Sequence, residues 1–77
     1  MNTSRLSKVK GAAIAANLAA LNDLLTTAAK RSAEAQELGQ NGKCNGAIGA
    51  ILDLDSILDD AKALCGAALA LHRTKGY

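Results

Sequence analysis

Apolar residues recur at alternating spacings of three and four along both halves of the chain. In the first half, Ile14, Leu21, Ala28 and Ala35 form one row, with Leu24 and Leu38 in the row beside it. In the second half, Leu54, Ala61 and Ala68 alternate with Ile57, Leu64 and Leu71. In heptad notation these are the a and d positions of helices that pack lengthwise on a neighbour. Asn17 and Arg31 occupy d in the first half, so that seam is polar at two places. Leu18 and Leu25, and then Ile51, Leu58, Cys65 and His72, fall at e. This widens the stripe from a coiled-coil seam towards the face of a helix bundle.

The breaks between these patterns predict two helices. Thr3 or Ser4 can cap a first helix that runs uninterrupted over about 4–38. Gly39 supplies a left-handed stop, and 39–44 form the connection. Asn45 caps a second helix over about 45–74, with Gly76 past its end. Gly42, Gly46 and Gly49 leave open a start a few residues later. Helices joined this closely pack antiparallel. The expectation is an all-α helical hairpin occupying 1–77 as one domain.

Composition agrees and adds a requirement. The apolar content is mostly Ala and Leu, the best helix formers, and the 77 residues include no Pro and a single aromatic, Tyr77. Strand-favouring residues are too scarce for a sheet. Ala buries little area, and a chain this short is near the lower limit for a self-sufficient core. Self-association is therefore expected, as a four-helix bundle of two hairpins or as a larger ring. Ala12, Ala16 and Ala20 form an i, i+4 row, as do Ala15 and Ala19, and Ala63 and Ala67. Such rows are either helix-forming filler on a solvated face or a surface where backbones approach closely.

No uninterrupted run of roughly 18 apolar residues is present, so no membrane span is expected. Arg5, Lys8 and Lys10 precede the apolar stretch 11–21 as in a secretory signal, but Asn17 interrupts it and no A-x-A site follows. A cytoplasmic protein is the expectation. Cys44 and Cys65, on one helix, would lie about 30 Å apart, which excludes a bond between them.

Charge distinguishes the two ends. Folding about residues 41 and 42 brings together positions whose numbers add to roughly 84. Lys30 and Arg31 are then expected near Asp53 and Asp55, and Asp23 near Lys62. At the other end, Arg5, Lys8 and Lys10 meet Arg73 and Lys75, with His72 and Tyr77 adjacent. No acid precedes Asp23 or follows Asp60. The overall charge of +2 thus divides into five bases at the terminal pole, and four bases with seven acids elsewhere. Cations at a helix N-terminus oppose the macrodipole, and unpaired N–H groups with extra cations suit an anion.

Catalytic chemistry is not indicated. His72 is the only histidine, Cys44 is a lone thiol without a base, and no phosphate loop or C-x-x-C pair occurs. Asp53, Asp55, Asp59 and Asp60 spread around their helix, so neither a metal site nor a cofactor is expected. In length, Ala/Leu richness and hairpin character, the chain resembles small phage-encoded helical proteins that sequester nucleotide immune signals or otherwise inhibit host defence. That resemblance lies in general character and transfers no motif residue. It implies an oligomeric binder of a small anionic ligand such as a nucleotide or cyclic oligonucleotide. The candidate site is Arg5, Lys8, Lys10, His72, Arg73, Lys75 and Tyr77. Two alternatives stand beside it. One is a protein-binding inhibitor or adaptor, anti-CRISPR-like or modulating a host factor. The other is a small RNA- or DNA-binding bundle, similar in outline to the plasmid RNA-modulating hairpins.

Overall fold

The computed structural model describes residues 3–73, which form α1 (Thr3–Gln40) and α2 (Cys44–Arg73), packed against each other. The chain is the expected all-α hairpin. It is a rod of 62 × 15 × 11 Å with a radius of gyration of 17.7 Å. A globular chain of this length would have a radius of about 11.5 Å. The capping side chains expected at Thr3 and Ser4 lie outside the described residues.

The turn is shorter than the punctuation suggested. Gly39 does not stop α1, which continues to Gln40; the residue with positive φ is Gly42, at 73°. Lys43 N–H donates to the Leu38 carbonyl at 2.8 Å, and Gly42 N–H donates to the Gly39 carbonyl at 3.2 Å. These are the two bonds of a Schellman motif with Gly42 at C′. The Lys43 carbonyl accepts the first bond of α2, from Ala47 N–H at 3.0 Å, so Lys43 and not Asn45 is the N-cap. Stopping at Gly39 would remove three residues, about 300° of helical rotation, and so shift the point where the chain leaves α1 by about 60° round the helix, off the line of its apolar stripe. Leu38 closes the turn, its Cδ1 lying 3.3 Å from where a Cβ on Gly46 would be.

The two glycines should therefore respond oppositely to alanine. Gly42→Ala forces an L-residue into the left-handed region and should destabilise by about 1–2 kcal/mol. Gly39→Ala, at a helical position with open space around it, should stabilise by up to about 1 kcal/mol. Thermal melts of the two variants would check the signs.

The sheltered positions trace an antiparallel seam. In α1 they are Lys10, Ala13, Ile14, Asn17, Leu21, Leu24, Ala28, Arg31, Ala35 and Leu38; in α2, Ala47, Ala50, Leu54, Ile57, Ala61, Leu64, Ala68 and Leu71. Apart from Ala13, at g, these are the a and d rows, the polar d residues Lys10, Asn17 and Arg31 included. Arg31 meets Asp53, Leu38 lies on Gly46 and Lys10 meets His72, which is close to the expected register. Across the seam, Leu24 then stands opposite Ala61, Ala28 opposite Ile57, and Ala35 opposite Ala50. Each of these layers has an alanine on at least one side, which lets the helices approach closely there. The resulting core is thin. Among the described residues only Ala28, Ala50 and Ala61 are buried, at 4–7% exposure, and no large side chain is fully enclosed.

The e rows do not join this seam. Leu18, Leu25, Ile51 and Leu58 are each 46–51% exposed, and Cys65 and His72 are exposed as well. Within one chain the contact is the narrow seam, not the widened face. The reason is geometric: two helices touch along one line, and e lies about 70° round the helix from the middle of the a/d stripe. A third helix is needed to cover it.

The hydroxyls of Thr26 and Thr27 find partners one turn back within α1. Thr26 Oγ1 donates to the Asn22 carbonyl at 2.9 Å, and Thr27 Oγ1 to the Asp23 carbonyl at 3.1 Å. One 18-residue window within Ser7–Gln40 reaches a mean hydropathy of 1.2, and the helix is long enough to cross a bilayer by length and composition. This differs from the expectation drawn from uninterrupted runs, because alanines raise the average across Asn17, Asn22 and Asp23. An Asp at the centre of a spanning helix alone costs about 2.5–3.5 kcal/mol.

Candidate functional site: the terminal pole

Antiparallel packing places the start of α1 beside the end of α2. Arg5, Lys8 and Lys10 are thereby brought to the same end of the rod as His72 and Arg73. Arg5, Lys8, His72 and Arg73 are exposed, and Lys10 is half-buried. Lys75 and Tyr77, the remaining members of the candidate site, lie outside the described residues.

Lys10 has a role that the sequence did not show. Its Nζ donates to the His72 carbonyl oxygen at 3.1 Å, tying the second turn of α1 to the last turn of α2. That carbonyl belongs to the negative end of the α2 dipole, where a cation is favourable. The expectation that Arg5, Lys8 and Lys10 all oppose a helix dipole is corrected accordingly. The effect fades beyond the first turn, and of the three only Arg5 lies within the first turn of α1. The legible signal was register: the hairpin fold sets Lys10 close to the end of α2.

The pole is also electrically separate from the acids. Asp23 is 13 residues beyond Lys10, and Asp60 is 13 residues before Arg73, about 20 Å along each helix. The Debye length at physiological ionic strength is about 8 Å. The acidic mid-section therefore does little to cancel the field at this end. No pocket is formed by the described residues, so the pole is a surface and not a cleft.

Charges in the mid-section follow heptad side as well as height. Arg31 Nη1 lies 3.0 Å from Glu34 Oε1, and Arg31 Nε lies 3.8 Å from Asp53 Oδ2. Both acids are at g, and in an antiparallel pair the g rows flank one side of the seam while the e rows flank the other. The expected partnerships of Asp23 with Lys62 and of Lys30 with Asp55 do not form; the ion pairs of this mid-section are those of Arg31. Asp23 and Lys30 are at c, on the g side, whereas Lys62 and Asp55 are at b, on the e side. Matching height was not enough. Cys44 and Cys65 are free and exposed, both on α2. The alanines of the Ala12–Ala16–Ala20 row and Ala63 and Ala67 are exposed too.

This chain matches no protein-family description, no curated protein and no solved structure.

Proposed function

We propose that this is a non-enzymatic, self-associating binding protein of the cytoplasm that captures a small anionic ligand at its terminal pole. The ligand class that suits it is a nucleotide or a cyclic oligonucleotide signal, with Arg5, Lys8, Lys10 and Arg73 holding phosphates. The observation that carries this reading is the collection of Arg5, Lys8, Lys10, His72 and Arg73 at one end of the rod, beyond screening distance of the acids. Lys75 and Tyr77 follow directly in sequence and would add a further cation and a stacking ring. Phosphate oxygens take charge-assisted hydrogen bonds from such side chains, roughly twice as strong as neutral ones. A role as an anti-defence sponge would follow from that affinity alone, with no reaction required.

Isothermal titration of the full chain against mononucleotides, cyclic di- and trinucleotides and ADP-ribose derivatives tests the reading. The expected result is binding to at least one phosphorylated class, weakening steeply as salt rises. Lys8→Glu combined with Arg73→Glu should reduce that affinity at least tenfold while leaving the helical circular dichroism unchanged. Silence across the whole panel would remove the proposal.

A further inference from the structure

One long face of the hairpin is apolar and uncovered. The e and b rows of both helices lie on the same side of the seam, because antiparallel pairing sets e beside e. That side presents Leu18 and Leu25 from α1, and Ile48, Ile51, Leu58 and Leu69 from α2, all among the exposed large hydrophobics. The g side carries Glu34, Asp53 and Asp60 instead. The two sides of one thin rod thus have opposite character.

Area gives the scale of what is left uncovered. The chain exposes 5580 Å², whereas a globular protein of 7.8 kDa would expose about 4,400 Å². The excess of roughly 1,200 Å² exceeds the ~800 Å² that each partner buries in a standard interface. The pattern along the face then says what covers it. We infer that the e/b face docks on the same face of a second copy turned end for end, with the two-fold axis passing through the layer of Leu25 and Leu58.

In that arrangement α2 runs antiparallel to α2 of the other copy, and the apolar and charged positions flanking Leu58 on α2 find suited neighbours. Leu58 meets its own counterpart on the axis. Moving outward, Asp55 of one copy stands opposite Lys62 of the other, then Ile51 opposite Cys65, then Ile48 opposite Leu69. Asp55 and Lys62 are the acid and base of the α2 part of this face, and the symmetry pairs them twice, once on each side of the axis. Leu25 of α1 likewise meets Leu25. The competing bundle, with both copies pointing the same way, sets α2 on α1 at equal height. It would place Asp55 against Ala29, Lys62 against Asn22 and Ile48 against Gln36. It would also bring two basic poles together, whereas the end-for-end arrangement separates them by about the 62 Å length of the rod. This inference rests on the self-association in the proposed function but not on the ligand. In it the two poles are held apart, which makes the assembly bivalent.

Sedimentation equilibrium and disulfide trapping test the face and its direction. In a Cys44→Ser, Cys65→Ser background, chains carrying Leu58→Cys, or chains carrying Leu25→Cys, should each form a covalent dimer under mild oxidation. The same-direction bundle instead predicts cross-linking only when Leu25→Cys and Leu58→Cys chains are mixed, and that result would overturn the arrangement. A chain that sediments as a folded monomer at tens of micromolar would overturn the interface itself. Charge reversal provides a check without cysteines. Asp55→Lys should weaken the dimer about tenfold, and adding Lys62→Asp should restore it; equal affinity in all three proteins contradicts the pairing. Ligand titration is a separate readout, so loss of the dimer leaves the pole's binding to be judged on its own.

Discussion

Leu21→Ala is expected to lower the thermal midpoint by roughly 10–20 °C, from a loss of about 2–3 kcal/mol. Leu21 stands across the seam from Leu64, and Ile14 from Leu71; these are the layers in which both helices contribute a large apolar side chain. Elsewhere at least one side is Ala, or the polar Arg31 faces Leu54. A methyl left at position 21 opens a gap between two helices that no neighbouring side chain can fill. The loss is large relative to the stability of so small a core. Leu52→Ala is the matched control. Leu52 sits at f, 66% exposed, on the side away from α1, so the same chemical change there should stay within about 0.5 kcal/mol. Thermal melts followed at the helical circular dichroism band would separate them. Equal effects at the two positions would mean that the a/d seam is not what holds the hairpin.

The largest gain is expected from the polar seam positions. Asn17 and Arg31 occupy d positions beside Ala68 and Leu54, where leucines would extend the apolar contact. Arg31 is partly compensated by Glu34 and Asp53, but its side chain remains 40% exposed, so those pairs contribute little. Replacing both residues by Leu should stabilise by about 2 kcal/mol and raise the midpoint by roughly 8–16 °C. A second consequence follows. Polar residues at seam positions set register and subunit number at the expense of stability. The double variant should therefore be more stable yet less uniform, showing more than one assembly by native mass spectrometry. A variant that is both more stable and uniform would show that Asn17 and Arg31 do not specify the register.

Much of the fold was legible because helix pairing is a periodic problem. The spacing of Leu21, Leu24 and Ala28, and of Leu54, Ile57 and Ala61, names the faces that meet, and the absence of Pro lets both helices run long. The turn was read less well. Gly39, Gly42 and Asn45 all carry suitable local chemistry, and local chemistry does not say which glycine leaves α2 facing α1. Ion pairing was also only partly legible. Numbering gave the height of Asp23 against Lys62, but heptad position sent them to opposite sides, while Arg31 at d reached the acids at g.

The candidate pole follows the same division. Sequence by itself determined that five bases lie near the termini with every acid between them, and that they share one end, because a hairpin must bring its ends together. It also determined the two-helix architecture, through apolar period and helix propensity. Tertiary structure alone decided that Lys10 is bound to the His72 carbonyl, that Gly42 makes the turn, and that the e rows remain open. Those outcomes depend on the angle at which one helix leaves the turn and meets the other, and no local stretch of sequence encodes that angle.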